Sequence, residues 1–145
     1  MTVRLLFTRR HALGSLFLRT ALWSSWSHVA IIDGDEVIEA TGSGVRVWPL
    51  RHAIADASEH EIVAVPCTVP DGVIAAARSQ IGKPYDWGGV LGIGFRRRWQ
   101  DEGRWFCSEL VAWAFHHAGV PIVRVQAWRI TPRDLYLPAY SQACP

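Results

Sequence analysis

Apolar positions come in short blocks along most of the chain, and the spacing within each block predicts its element. "VRLLF" near the start reads as a strand, and "ALGSLFLRTALW" carries apolar residues at Leu13, Leu16, Phe17 and Ala21, the spacing of a helix despite Gly14. In "SHVAIIDGDEVIEAT" two runs rich in β-branched residues flank Asp33-Gly34, a pair that favours a type I′ hairpin turn. "GVRVWPL" and "HEIVAVPC" predict further strands, ended by Pro49 and Pro66. "PDGVIAAARSQIG" predicts a helix with Asp71 near its start, Gly82 at the C′ position and Pro84 beyond. A glycine-rich, then basic, loop spans Tyr85 to Arg104. It leads into a helix that begins near Cys107 and stops at Gly119 and Pro121, followed by an irregular tail. This order of elements predicts a small α+β fold, an antiparallel sheet packed against helices, and a chain of 145 residues suits one compact domain over 1–145.

If Asp33 and Gly34 form a two-residue turn, His28 faces Glu39 across the ladder, with β-carbons about 5 Å apart. A three-residue turn places His28 opposite Ala40 and diagonal to Glu39, still within a glutamate's reach.

Composition narrows the function classes. Half the residues are hydrophobic and 19% are charged, yet no apolar run reaches the ~20 residues needed to span a bilayer. A formal charge of +2 gives no reason to expect nucleic-acid binding. Arg96, Arg97 and Arg98 form a local basic run, read as a solvated loop in preference to a contact for an acidic polymer or lipid headgroup. Cys67, Cys107 and Cys144 are odd in number and irregularly spaced, so neither a disulfide framework nor a zinc set is indicated. A Cys67–Cys144 bridge is conceivable, with reduced thiols as the default. No metal or cofactor is expected: Gly88, Gly89, Gly92 and Gly94 lack the G-K-[ST] of a phosphate loop. The N-terminal "TRRHALGSLFLRTALW" has a twin arginine, but Arg19 interrupts its apolar stretch and no A-x-A site follows. We read it as mature structure in a protein cytoplasmic as synthesised, able to reach a cell wall if exported or carried on a virion.

Cys107 is the first candidate for chemistry. At the first turn of a helix, unpaired N–H groups and the helix dipole stabilise a thiolate. The bland reading is equally supported by this helix alone, because Leu110, Val111 and Ala114 share its face and free cysteine is commonly buried. A thiol nucleophile needs a base. His116 and His117 lie at the far end of the same helix, out of reach, and His11, His52 and His60 sit in polar surroundings. His28 differs, since it opens an apolar strand and has Glu39 predicted beside it. A Cys–His–carboxylate set follows, with Glu39 fixing the ring while the other nitrogen faces the thiol.

"IGKPYDWGG" followed by "FCSELVAWAF" resembles the NlpC-type cysteine peptidases of the papain-like superfamily. In those proteins the histidine follows the cysteine, whereas here it precedes it. "SHVAIIDGDEVIEATGSGVRV", after an N-terminal strand and helix, is similar to the circularly permuted branch, the YiiX-like and lecithin:retinol acyltransferase-like proteins, over roughly residues 3 to 120. By that resemblance His28, Glu39 and Cys107 occupy the three catalytic places in a permuted papain-like fold. Acyltransferase-type members commonly have a second histidine where this chain has Glu39, which sets it nearer the peptidase-like members. The loop from Leu91 to Arg104 is longer than in simple NlpC-type domains.

The resemblance implies acyl transfer through a thioester, with the Cys107 N–H as oxyanion donor and Ser108 capping the helix or lining the site. Tyr85, Asp86 and Trp87 are expected to line the approach to the thiol, with Trp26 as a further substrate contact; core packing is the competing role for these aromatics. The implied substrate is a bacterial cell-wall peptide. The alternatives are a lipid-directed acyltransferase or phospholipase and a catalytically silent binding module.

Overall fold

The computed structural model describes residues 1–9, 26–41, 43–82, 106–123 and 132–143. Five strands, β1 (Thr2–Arg9), β2 (His28–Asp33), β3 (Glu36–Thr41), β4 (Gly44–Pro49) and β5 (Glu59–Pro66), form an antiparallel sheet in the order β4-β3-β2-β1-β5. The helices among the described residues are α1 (Leu50–Ala55), α2 (Pro70–Arg78), α3 (Phe106–His117) and α4 (Pro132–Ala143). The fold is α+β, as the order of sequence blocks predicts. The expected helix over residues 12–23, the loop from Tyr85 to Arg104 and Cys144 lie outside the described residues.

Strands β1 and β2 are buried on both faces, which is why their sequences run apolar instead of alternating. On one face Leu5, Phe7, Val29, Ile31 and Ile38 pack with Val73 and Ala77 of α2, Leu110, Val111 and Phe115 of α3, and Leu135 and Ala139 of α4. On the other, Leu6, Ala30, Ile32 and Val37 are covered by α1 through Ala53, Leu50 and Ile54. The sheet therefore presses directly against the cysteine helix α3.

The β2–β3 hairpin departs from the predicted register. Its ladder pairs Asp33 with Glu36, Ile32 with Val37 and Ile31 with Ile38, so Gly34 and Asp35 form the tip, with Gly34 at φ +60°. The expected register would have set Ile32 against Asp35. The observed one matches apolar with apolar, and burial decides the pairing. Arg78 of α2 reinforces it, donating to Asp33 at 2.6 Å and to Glu36 at 3.3 Å.

Three other local expectations are corrected. Helix α1 falls in the polar stretch after Pro49; with six residues and only Ala53 buried, it is too short to leave a periodic signal. Helix α2 closes at Ser79, so Gly82 is not its C′ residue; at φ +76° it instead turns the chain back so that its N–H meets the Val45 carbonyl at 3.1 Å. The tail holds a 12-residue helix, α4, begun by Pro132 and masked in the sequence by an internal Pro138.

Helix α3 ends as predicted. Gly119 takes φ +78°, its N–H meets the His116 carbonyl, and the Val120 N–H meets that of Phe115, the paired bonds of a Schellman cap. A β-carbon on Gly119 would touch nothing within 4 Å, so only the backbone resists a side chain there. Gly119→Ala is expected to cost roughly 1–2 kcal/mol, read as a lowered urea midpoint with an unchanged slope.

Candidate active site

Strand β2 opens on His28, and its neighbour β3 carries Glu39, just past the last pair of the shared ladder. Continuing the observed register sets His28 diagonal to Glu39 instead of directly opposite. The contact forms nonetheless: His28 Nε2 lies 2.7 Å from Glu39 Oε2. With Nε2 taken by the carboxylate, Nδ1 is the ring nitrogen left to face a further group.

That group is Cys107. It is the second residue of α3, is 6% exposed, and lies near enough to the His28 ring for the two to shift each other's ionisation. The backbone N–H groups of Val29 and Ser108 are also directed at the sulfur. One strand end thus supplies both the imidazole and an amide, while the first turn of α3 supplies the thiol and a second amide. Ser108 is buried inside that first turn.

Glu39 is 1% exposed, a costly place for a charge unless it is paired. Its second oxygen is paired with Arg46, which lies directly opposite on β4 and reaches Oε1 through Nε at 2.8 Å and Nη2 at 2.6 Å. The Arg46 guanidinium also lies 4.5 Å above the Trp48 ring. The sequence reading missed Arg46. The signal was there: "EATGSGVRV" is a second hairpin, and closing it with a two-residue tip faces Glu39 with Arg46.

The electrostatics follow from these contacts. Burial works against ionisation at all three groups and is the largest single influence on each. At Cys107 the charge and hydrogen bond of His28, with the two amides, outweigh it and hold the thiol below its ordinary value. At His28 the charge and hydrogen bond of Cys107, then those of Glu39, raise the ring to about 9. At Glu39 the hydrogen bonds and charges of His28 and Arg46 lower the carboxyl to about 2. The arrangement favours a thiolate–imidazolium pair backed by a carboxylate.

A pH dependence follows, with a definite sign. Glu39 ionises at about 2 when folded against 4.5 in the open chain, so between those values the unfolded state binds more protons. Its stabilisation is present above pH 4.5 and is lost as pH falls toward 2, about 3 kcal/mol in all. Glu39→Gln keeps the shape without the titration. The stability of the wild type relative to this variant is expected to shrink over that acid range, as measured by urea midpoints from pH 5 to 2.

The remaining candidates separate. Trp26 sits in an aromatic cluster, its ring 6.2 Å from Phe7 and 5.6 Å from Tyr136, packed against the core. This placement matches the core role weighed for the tryptophans. Tyr85, Asp86 and Trp87, and the Arg96–Arg98 run, lie outside the described residues. His52, His60, His116 and His117 are exposed, and His117 stacks on Trp113. Cys67 is a buried free thiol. Among the described residues no group of three or more His, Cys, Asp or Glu is placed to hold a metal ion, and no helix is long and apolar enough to cross a membrane.

Comparisons with known proteins agree with this fold. A family model described as permuted papain-like amidase enzymes of the YaeF/YiiX type, the C92 family, matches residues 4–137. The "probable lipoprotein peptidase YaeF" of Escherichia coli strain K12 is 30% identical over 166 aligned positions, covering 90% of this chain and 61% of that protein. The chain thus spans about three fifths of that relative's length. The "probable endopeptidase Rv2190c" of Mycobacterium tuberculosis H37Rv is 38% identical over 65 positions, covering 40% of this chain and 14% of that protein. The crystal structure of the metalloprotein YiiX from Escherichia coli O157:H7 superposes with a TM-score of 0.56 at 22% identity, covering 84% of this chain and 68% of that one. This last likeness concerns the fold.

Proposed function

The chain belongs to the permuted papain-like amidases of the YaeF/YiiX type, and from that premise we propose that it is a cysteine amidase with Cys107 as nucleophile, His28 as proton carrier and Glu39 as the group that orients the ring. The observation that carries this reading is the placement of His28, one ring nitrogen on Glu39 at 2.7 Å and the ring electrostatically coupled to the Cys107 thiol at the start of α3.

The Cys107 thiolate attacks the amide carbonyl, forming the carbon–sulfur bond. The developing oxyanion is met by backbone N–H at the start of α3, for which the Cys107 amide is suited. Collapse breaks the carbon–nitrogen bond as the imidazolium of His28 gives its proton to the departing amine. The now neutral ring takes a proton from water, whose oxygen attacks the thioester. Collapse of this second tetrahedral species breaks the carbon–sulfur bond, releasing the acid and restoring the Cys107 thiolate beside the protonated His28. Throughout, the Glu39 carboxylate holds the ring and offsets its charge.

The substrate class we infer is a peptide amide of the bacterial cell wall, on the strength of the likeness of "IGKPYDWGG" and "FCSELVAWAF" to NlpC-type peptidases. The test is incubation with a muropeptide panel and, separately, with phospholipid vesicles, followed by mass spectrometry of products and of Cys107. New amine ends from muropeptides, with a hydroxylamine-labile acyl group on Cys107 and no cleavage by Cys107→Ala, are expected. Fatty acid release without muropeptide cleavage would replace the substrate class by a lipid ester. No turnover of either panel, together with an ordinary Cys107 thiol, would leave a binding module.

A further inference from the structure

The proposed reaction uses one oxygen of Glu39; the other is held by a residue with no part in the chemistry. Glu39 Oε1 accepts from both Nε and Nη2 of Arg46, at 2.8 and 2.6 Å, while Oε2 meets His28 Nε2 at 2.7 Å. The arginine is itself constrained. It stands directly across from Glu39 in the β3–β4 ladder, and its guanidinium rests on the Trp48 ring at 4.5 Å. The cation–π contact restrains the guanidinium, and the cross-strand register sets it opposite Glu39. The Arg46 side chain is 41% exposed, yet two of its nitrogens grip a carboxylate that is 1% exposed.

We propose that Arg46 is a positioning residue of the catalytic set, locking the Glu39 carboxylate so that Oε2 is presented to His28 Nε2. The inference rests on the reading of Cys107, His28 and Glu39 given above. Without the arginine, a carboxylate so deeply buried would lose the cation that holds its Oε1. It relieves its unpaired lone pairs by taking a proton or by swinging toward water. Either change withdraws the anion that steadies the imidazolium, and the thiolate loses its counter-charge in turn. The charged groups acting on this relay come from three elements: Arg46 on β4 and His28 on β2 act on Glu39, and Cys107 on α3 acts on His28. Glu36, on the same strand as Glu39, is instead engaged by Arg78 at 3.3 Å.

Two substitutions of Arg46 separate this role from plain stabilisation. Arg46→Met keeps the bulk over Trp48 and removes the charge; Arg46→Lys keeps a cation but not the two-nitrogen grip. Iodoacetamide labelling of Cys107 in the full chain is followed at pH 6 and again near pH 9.5, where a thiol ionises without help, with circular dichroism melts alongside. Arg46→Met is expected to label about tenfold more slowly than wild type at pH 6, with the rates converging at the higher pH. Arg46→Lys is expected to recover more than half of that loss. A purely structural role would lower the melting temperature but leave the wild-type ratio of the two rates. Equal rates for wild type and Arg46→Met at pH 6, with wild type showing its enhanced labelling, would overturn the role of Arg46 alone. An ordinary thiol profile in the wild type would overturn the Cys107–His28 pair, and the proposal with it. If Arg46→Met fails to fold, the comparison rests on Arg46→Lys, and a wild-type rate ratio in that variant would overturn the proposal.

Discussion

His28→Ala is expected to lower amide hydrolysis on the order of a thousandfold or more while leaving the fold intact. The ring acts on both the thiol and the Glu39 carboxylate. Its loss therefore removes the proton carrier and the counter-charge of the thiolate in one step. Cys107 then sits buried with no imidazolium beside it. Desolvation, already the largest influence on it, drives it to the neutral thiol. A buried thiol is tolerated, as Cys67 is elsewhere in the same core, but the buried Glu39 loses its His28 partner, so a lowered melting temperature should accompany the lost activity. Single-turnover assays with a cleaved muropeptide, run beside the melts, separate the two effects.

Glu39→Ala is expected to have the largest effect on stability, about 3–5 kcal/mol. The carboxylate is 1% exposed and accepts from His28 on one oxygen and from Arg46 on the other. Its removal leaves two cations without their common anion and opens a void in the sheet face. The consequence is asymmetric between groups: Arg46, 41% exposed at its side chain, can turn to water, whereas His28, 16% exposed, cannot do so readily. Glu39→Gln, which keeps the volume and one acceptor oxygen, is expected to cost less. Urea unfolding at pH 7 with both variants provides the check, and a cost below about 1 kcal/mol for Glu39→Ala would mean the carboxylate contributes little to the folded state.

How much of this could be read from the residues depends on which interactions decided each feature. Strands and the Gly119 cap are local and appear in the residue pattern. His28 and Glu39 were found through a hairpin register that was off by one at each arm. The pair survived because a shift of two in the paired sum keeps both residues on the same face of the sheet. The register itself was set by Ile31, Ile32, Val37 and Ile38 burying against each other, a tertiary effect that overrode the turn preference of Asp33-Gly34. Arg46 is not legible from its own position, because its partner lies on the adjacent strand and only the β3–β4 register brings the two together. Helix α4 was hidden by Pro138, whose missing N–H argues against a helix until Leu135 and Ala139 are seen in the core. Trp26, for which substrate contact and core packing are both open in the sequence, packs with Phe7 and Tyr136 in the structure.

The central claim is that Cys107 is a thiolate held by His28, and the pH dependence of its alkylation tests that claim most directly. Iodoacetamide labelling at Cys107, followed by mass spectrometry from pH 4 to 10 in the wild type and in His28→Ala, reports the ionised fraction of this thiol. Rapid labelling well below pH 8 in the wild type, moved to an ordinary or higher thiol range when His28 is removed, is the predicted result. A normal thiol profile in the wild type, unchanged by the substitution, would contradict the account and leave Cys107 as a small buried residue of the α3 core.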